Sequence, residues 1–510
     1  MHSFLQDGSR PASGPELAFS ASSIPFVASG GRSPRRFFLP QYDLAIVGSG
    51  PGGYVAAIRA SQWGLRTVVI EKDGVLGGTC LHVGCIPTKI LLHHAEIYET
   101  FGRAKEFGIE VSEFKLNWPA VLARKDKIVA KHAKGIEFLF RKHKVDTMRG
   151  WGRWAGPGRL AVESFSDRGV QSGQTTEIEA AHILFAAGSE ARPLPGAAFD
   201  GEVIVGNREI LKVPHVPASL IVIGAGAVGV EFASLFHSFG SRVTLLEALP
   251  RLVPLEDDEI SAELEKSFRK RGIAVFTGAE VEKVARNGPA AAVSFKDQAG
   301  AAQNFSADRV LVAVGRAPQT EKLGLASSRV QLDRGFVRVG PYFETDEPGV
   351  YAIGDIVAGM PQLAHAASME GVICVGKIAG KQVPTLDRYR IPAATYCEPQ
   401  IGSIGLTEKQ AREAGYAVKI GKFPFLANSK ASILGHHEGF IKVVAEEKHG
   451  EILGVHAIGH QASELLGEPV SALQMEATID DMLFTVHAHP TLWEAMGDAF
   501  ASVRGLAINA

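Results

Sequence analysis

Two of the chain's four cysteines, Cys80 and Cys85, lie five positions apart in GGTCLHVGCIPTK, residues 77–89. Such a pair can hold a metal, staple a fold, or open and close as a redox couple. Zinc takes four ligands, usually from two short-spaced pairs. Cys374 and Cys397 are distant and 23 positions apart, and His82 has no partner motif, so no metal ligand set is expected. A structural disulfide over so short a loop constrains the unfolded chain little. A redox pair fits better. Five residues of regular helix rise ~7.5 Å, beyond the ~4.4–6.8 Å Cα separation of a disulfide. The backbone between the thiols must therefore be irregular, and Gly84 permits that. Pro87 suits the first turn of a helix running on through Leu91, Leu92 and Ala95. The positive end of that helix, together with Lys89, favours a thiolate at Cys85.

The elements that must position this pair are written twice in the chain. DLAIVGSGPGGYVAAIRASQWGLRTVVIEK (43–72) and SLIVIGAGAVGVEFASLFHSFGSRVTLLEA (219–248) each read strand, glycine turn, helix, strand. Gly48, Gly50 and Gly53 form GxGxxG in the first, and Gly224, Gly226 and Gly229 form it in the second. The second strands end on Glu71 and Glu247, in each case 23 positions after the first glycine. GxGxxG on its own is a weak signal. Between an apolar strand and a helix, with an acid about 20 residues on, it is a dinucleotide fingerprint. The first glycine makes the tight turn, the second admits a pyrophosphate, and the third lets helix and strand pack. The helix N-terminus offers its free N–H groups to the phosphates, and the glutamate accepts from ribose hydroxyls. Two such units imply two dinucleotides, and hydride chemistry pairs a nicotinamide with a flavin. A carboxylate at Glu247 repels a 2′-phosphate and no arginine follows it directly, so the second site is expected to take NAD rather than NADP.

At 510 residues the chain has room for about three domains. The 46% hydrophobic content is that of an ordinary folded protein, and a net charge of −2 gives no reason to expect a nucleic acid or a membrane surface as partner. The longest apolar run, from Leu220, meets Glu231 well short of the ~20 residues that cross a bilayer. Four cysteines in so long a chain suit a reducing compartment. Residues 1–40 are rich in Ser, Pro, Gly and Ala and lack periodicity. They read as a disordered extension or an early start codon, the alternative being a cleaved organelle-targeting segment. The expected location is the bacterial cytoplasm, or the mitochondrial matrix if that segment is a transit signal.

GGTCLHVGCIPTK together with two nucleotide folds resembles the flavin-dependent disulfide reductases. ILFAAGS (183–189) resembles the segment that returns the chain from the flavin domain, and VLVAVGRAPQT (310–320) its counterpart after the NAD domain. VYAIGDIVAGMPQLAHAASMEG (350–371) resembles the second flavin-contacting motif, and VHAHPTLWEAM (486–496) the C-terminal catalytic motif. The likeness spans residues 41 to about 505. Within the family, the cysteine loop, Glu247 and HPTLxE are similar to the dihydrolipoamide dehydrogenase branch. Ala187, Cys397, Gln400 and Trp493 depart from the family pattern, and Trp493 bears on substrate access.

The resemblance implies an α/β fold with two Rossmann-like domains and an α+β dimerisation domain. It places a FAD-binding domain at 41–188, completed by a central domain at 316–388, with an NAD-binding domain at 189–315 and an interface domain at 389–505. It implies that dihydrolipoamide attacks a Cys80–Cys85 disulfide, that Cys80 exchanges with substrate, and that Cys85 faces the flavin. His489 is the implied base, oriented by Glu494, with Lys89 and Glu231 paired near the flavin; His487 is taken as structural. FAD contacts are expected at Gly48, Gly50, Gly53, Glu71, Thr79, Lys89, Gly150, Gly188, Asp355, Leu363, Ala364 and His365. NAD contacts are expected at Gly224, Gly226, Gly229, Glu231, Glu247 and Gly315. The implied partners are a second copy, which shares its histidine, and the lipoyl domains of a 2-oxo-acid dehydrogenase complex or a glycine-cleavage carrier. Two alternatives are another disulfide reductase, acting on glutathione or mercuric ion, and a non-catalytic flavoprotein. The second of these predicts damage among Cys80, Cys85, His489 and Glu494, and all four are present.

Overall fold

The computed structural model describes residues 41–165 and 171–509; the extension expected over residues 1–40 lies outside them. The apolar run Leu44–Val47 is wholly buried, as a strand covered on both faces requires. It belongs to the strand Tyr42–Val47, which pairs in parallel with Thr67–Glu71 in the register Leu44↔Thr67 to Val47↔Ile70. Across the sheet the parallel order is Asp146–Arg149, Thr67–Glu71, Tyr42–Val47, Gln171–Phe185 and Val350–Ala352. The strand order thus reverses beside Tyr42–Val47, and ligands of doubly wound sheets bind at that point. The outer part of Gln171–Phe185 also pairs with Arg159–Phe165, which pairs in turn with Trp151–Gly156.

The second unit repeats this plan. Its parallel strands run Ala274–Phe276, Arg242–Leu246, Ser219–Ile223, Arg309–Val312 and Ile204–Val205. A separate antiparallel sheet, Glu280–Asn287, Ala290–Lys296 and Ala302–Ala307, again precedes the strand that returns to the parallel sheet. The third region is a five-stranded antiparallel sheet ordered Ala393–Thr395, Gln400–Gly405, Ile452–Gly459, Phe440–Glu446 and Val418–Pro424. The helix Trp493–Val503 covers it, burying Ala495, Met496, Ala499 and Phe500 against Phe423, Ile441 and Val443. The fold is therefore α/β, two Rossmann-like units followed by an α+β region.

Two junctions hold the distant parts of the chain together. The helices Pro51–Gln62 and Ala364–Ile378 pack so closely that a Cβ on Gly371 would lie 2.9 Å from the Gly52 carbonyl oxygen. In the second junction Lys442, buried in the third region, reaches Asp257 at 3.0 Å, and Glu259 and Glu408 at 2.8 Å. Burial works against that ammonium, yet its three carboxylate partners raise its pKa. Among the described residues no helix is long and apolar enough to cross a membrane.

Candidate active site

After Thr67–Glu71 the chain reverses through Gly77 and Gly78, with φ of +119° and +62°, values that glycine alone adopts cheaply. A short helix, Gly78–Val83, carries Thr79 and Cys80. It breaks at Gly84, where a Cβ would stand 3.0 Å from the Thr79 carbonyl oxygen. A second helix, Cys85–Gly102, starts on the second cysteine itself rather than at Pro87. Breaking one helix into two is how the chain brings thiols five positions apart into contact.

Both cysteines are free thiols, hydrogen-bonded to each other and partly buried. That hydrogen bond, with burial, raises the Cys80 pKa. Accepting it lowers Cys85 to about 7; burial opposes this and the Lys89 cation assists it. The pair thus divides its labour: Cys80 keeps its proton and donates, and Cys85 is the thiolate. Lys89, one turn along the same helix, meets both Glu231 carboxylate oxygens at 2.7 Å. Burial disfavours its charge, but Glu231 outweighs that and raises the Lys89 pKa. Glu231 also accepts from the Tyr396 backbone N–H at 3.0 Å, and the Tyr396 ring lies 4.6 Å from the Lys89 ammonium. Glu231 sits on the helix that opens at the second glycine turn, so this ion pair ties the cysteine helix to the second unit.

The two glycine turns match in detail. Gly48 and Gly224 have φ of +104° and +99°. A Cβ on Gly53 would fall 1.9 Å from the Gly48 carbonyl oxygen, and one on Gly229 1.8 Å from that of Gly224. At Gly50 and Gly226 nothing lies within 4 Å of where a Cβ would be. Each turn therefore leaves open space at a helix N-terminus, the cradle a dinucleotide pyrophosphate fills. Glu71 accepts from the Ser49 N–H at 2.9 Å and the Asp73 N–H at 2.9 Å. Glu247 accepts from the Ala225 N–H at 2.6 Å and the Leu249 N–H at 2.9 Å. Both glutamates thus clamp their own turns, a role invisible in the motif, and a carboxylate's remaining lone pairs stay free for a ribose.

Other expected contact residues are more scattered. Gly188 and Gly315 join the two units, donors at Gln319 and Arg192 reaching their carbonyls at 2.9 and 3.0 Å. Asp355 accepts from the Ser189 hydroxyl and lies 3.8 Å from the Arg316 guanidinium. Leu363 and Ala364 open the helix Ala364–Ile378. His365 contacts the Pro392 carbonyl at 2.7 Å. The space beside Gly150 belongs to the neighbouring strand, since a Cβ there would meet Val162 Cγ1 at 2.6 Å. Glu370 was missed by the sequence reading. It is fully buried, its Oε2 accepts the Gly354 N–H at 2.6 Å, and it thereby holds the turn that carries Asp355. Burial, then Asp355, raises its pKa to about 7.

His489 Nδ1 meets Glu494 Oε1 at 2.9 Å, while Glu494 Oε2 accepts the Thr491 N–H at 2.9 Å. The Thr491 and His489 bonds hold the Glu494 pKa down. The His489 side chain is 72% exposed and has no bond to either cysteine. His487 instead faces Glu468 at 3.0 Å. The Trp493 ring packs on Gly467 and the core of its own region.

A dithiol beside one dinucleotide cradle, braced through an ion pair to a second, defines a nucleotide-dependent disulfide oxidoreductase. Residues 42–371 match the pyridine nucleotide-disulphide oxidoreductase family and residues 391–500 match its dimerisation domain, so the chain belongs to that family. It is 42% identical to the dihydrolipoyl dehydrogenase of Rhizobium etli over 92% of this chain and 99% of that one. It is 41% identical to the dihydrolipoyl dehydrogenase of Bacillus subtilis over 92% and 99%, and 40% identical to the mitochondrial one of Pisum sativum over 90% of each. The crystal structure of LpdA from Mycobacterium tuberculosis superposes with a TM-score of 0.82 at 28% identity, covering 90% of this chain and 98% of that one.

Proposed function

We propose that the chain is a dihydrolipoyl dehydrogenase: it oxidises dihydrolipoamide to lipoamide and reduces NAD⁺ to NADH with release of one proton. The observation that carries this reading is the pair of free thiols, Cys80 and Cys85, on either side of the break at Gly84, with Lys89 on the Cys85 helix held by both Glu231 oxygens at 2.7 Å. In the oxidised enzyme the pair is a disulfide, and a substrate thiolate attacks Cys80, displacing Cys85 as the better leaving thiolate. The second substrate thiol then attacks the mixed disulfide, which releases lipoamide and leaves the dithiol. Each substrate thiol loses its proton to His489, with Glu494 fixing the ring and supporting its cation; of the two protons one ends on Cys80 and the other is released. Lys89 stabilises the Cys85 thiolate and is itself held by Glu231.

Gly48, Gly50, Gly53, Glu71, Thr79, Lys89, Gly188, Asp355 and Leu363 to His365 are the residues that would hold FAD, with Glu370 behind Asp355. The chemistry a bound FAD supplies is two-electron acceptance from a dithiol and hydride donation to a nicotinamide. Gly224, Gly226, Gly229, Glu231, Glu247 and Gly315 would hold NAD⁺. Arg251, the first arginine after Glu247, is engaged by Asp258 and donates to the Pro254 carbonyl at 2.7 Å, so it is already occupied rather than free for a 2′-phosphate, which supports NAD⁺ over NADP⁺.

A base 72% exposed within one chain needs a second surface to complete its site. Phe484 and Val486, just before it, are 87% and 94% exposed, and the region matches a dimerisation domain. These features support a homodimer in which His489 of the partner subunit serves each cysteine pair, acting on lipoyl domains of a 2-oxo-acid dehydrogenase complex or a glycine-cleavage carrier in a reducing compartment. The test is turnover of the purified yellow protein with dihydrolipoamide or reduced glutathione, each with NAD⁺ or NADP⁺. Rapid turnover is expected only with dihydrolipoamide and NAD⁺. A preference for glutathione or for NADP⁺ would overturn the assignment.

A further inference from the structure

Away from the cysteine pair and the glycine turns, three ligand-type side chains from separate elements converge. Glu398 lies in the bend between Ala393–Thr395 and Gln400–Gly405, His436 follows the helix Ser429–Leu434, and His460 follows the strand Ile452–Gly459. One ligand atom from each lies within 4.8 Å of the other two. The two imidazoles stack at 4.0 Å with planes 10° apart, and His436 Nδ1 is 3.8 Å from Glu398 Oε1. His460 is only 9% exposed, and its Nδ1 is buried with no hydrogen-bond partner. His182, His237 and His456 also bury an Nδ1 without a partner, but among the described residues only His460 does so in a group of metal-ligating side chains, which is what points to a ligand here.

We propose that Glu398, His436 and His460 form a binding site for a divalent transition cation of the zinc type. Two imidazoles and one carboxylate with an open fourth position is a donor set zinc uses, and the nitrogens suit it better than magnesium or calcium. Zinc bonds of ~2.0–2.2 Å set ligand atoms about 3.4 Å apart. The cluster must therefore close by roughly an ångström and tilt the stacked rings, which the partly exposed side chains of His436 and Glu398 allow. The charges facing the cluster are already paired. Arg271 bonds Glu99 at 2.7 Å as well as the Glu398 carbonyl, and Arg103 bonds Glu106 at 2.9 Å and the Gly435 carbonyl at 2.9 Å. With Glu96 also nearby, no net positive charge opposes a cation. A cavity of about 300 Å³ lined by Lys89, Glu96, Glu99, Tyr396 and Glu464 borders the cluster at Glu398. Glu398 is two residues from Tyr396, whose N–H and ring hold the Glu231–Lys89 pair, so a bound cation anchors the segment that braces the dithiol.

The test is titration of the oxidised, flavin-loaded enzyme with Zn²⁺ alone against a chromogenic chelator. In that state Cys80 and Cys85 are joined and cannot compete for the metal. One equivalent per chain is expected, with affinity falling at least tenfold in His436→Asn and in His460→Asn, while metal-free turnover is unchanged. Absence of a stoichiometric site, or an affinity in either variant unchanged from that of the unaltered enzyme, would overturn the proposal. Should either variant lose its flavin, anomalous scattering from a zinc-soaked crystal of the unaltered enzyme decides: a peak at His460 supports the site and no peak there rejects it.

Discussion

The turn at Gly48–Gly53 and the turn at Gly224–Gly229 share φ angles, packing and a clamping glutamate, yet they face different surroundings. The first is walled in. The Gly77 N–H reaches both Ser49 oxygens at 3.1 Å, and a Cβ on Gly78 would lie 2.6 Å from the Gly50 Cα. Gly52 is pressed against the Ala367 carbonyl at the far side of the same helix start. Within the second turn Ala227 and Val228 are exposed, and so is Leu249 beyond Glu247. One phosphate-binding geometry therefore serves two kinds of residence. The cysteine loop and the Ala364–Ile378 helix close over the first cradle, which suits a group kept through every turnover. The second opens to solvent, which suits a molecule that must leave once reduced.

The comparison is broken most severely at the third glycines. Gly53→Ala and Gly229→Ala each force a Cβ to within 2 Å of a backbone oxygen, costing the upper end of ~1–3 kcal/mol or more. Gly53→Ala is expected to purify without flavin, and Gly229→Ala to stay yellow but lose NAD⁺-linked turnover; absorbance and activity assays separate the two. Next in size is His489→Gln. Loss of a general base costs ~10²–10⁴-fold, so dihydrolipoamide oxidation should fall by that factor while NADH-to-dye transfer, which needs no thiol, persists. Equal loss of both would refute the base assignment.

Alkylation of the reduced enzyme sharpens the description of the first site. Only thiolate reacts, and Cys85 is held near 7, below an ordinary thiol. Its alkylation rate should level off above pH 7 and fall about tenfold per unit below, with Cys80 silent because its pKa is raised. A midpoint near the usual ~8.5 would contradict the polarised pair. The smallest effect belongs to the middle glycines, which have open space around them. Gly226→Ala should leave the melting temperature within ~0.5 kcal/mol equivalent and raise the KM for NAD⁺ more than it lowers kcat, whereas Gly50→Ala lowers flavin content. Unchanged ligand binding in both would mean that these spaces are not the phosphate cradles.

The strands and turns of both units were legible because glycine spacing, an apolar strand and a terminal acid are local signals. So was the neighbourhood of Cys80 and Cys85, although the helix was expected from Pro87 and begins at Cys85. What the sequence could not place were contacts made by chain return. Glu370 holds Gly354 across a helix junction, and Gly150 is pressed by the neighbouring strand, where a Cβ would meet Val162 and Glu163. Cys397 lies in the bend beside Glu398, with its sulfur 3.2 Å from the Pro399 carbonyl oxygen. Glu398, His436 and His460 carry no motif spacing at all, because three different elements of the third region bring them together.

The central claim is that one sulfur of this pair is the obligatory gate between substrate thiols and the nucleotide. Cys85→Ser tests it directly, by measuring dihydrolipoamide:NAD⁺ turnover and NADH:dye transfer on the same flavin-loaded sample. The expected result is full dye transfer with dihydrolipoamide turnover abolished. Undiminished oxidation of dihydrolipoamide by that variant would contradict the account.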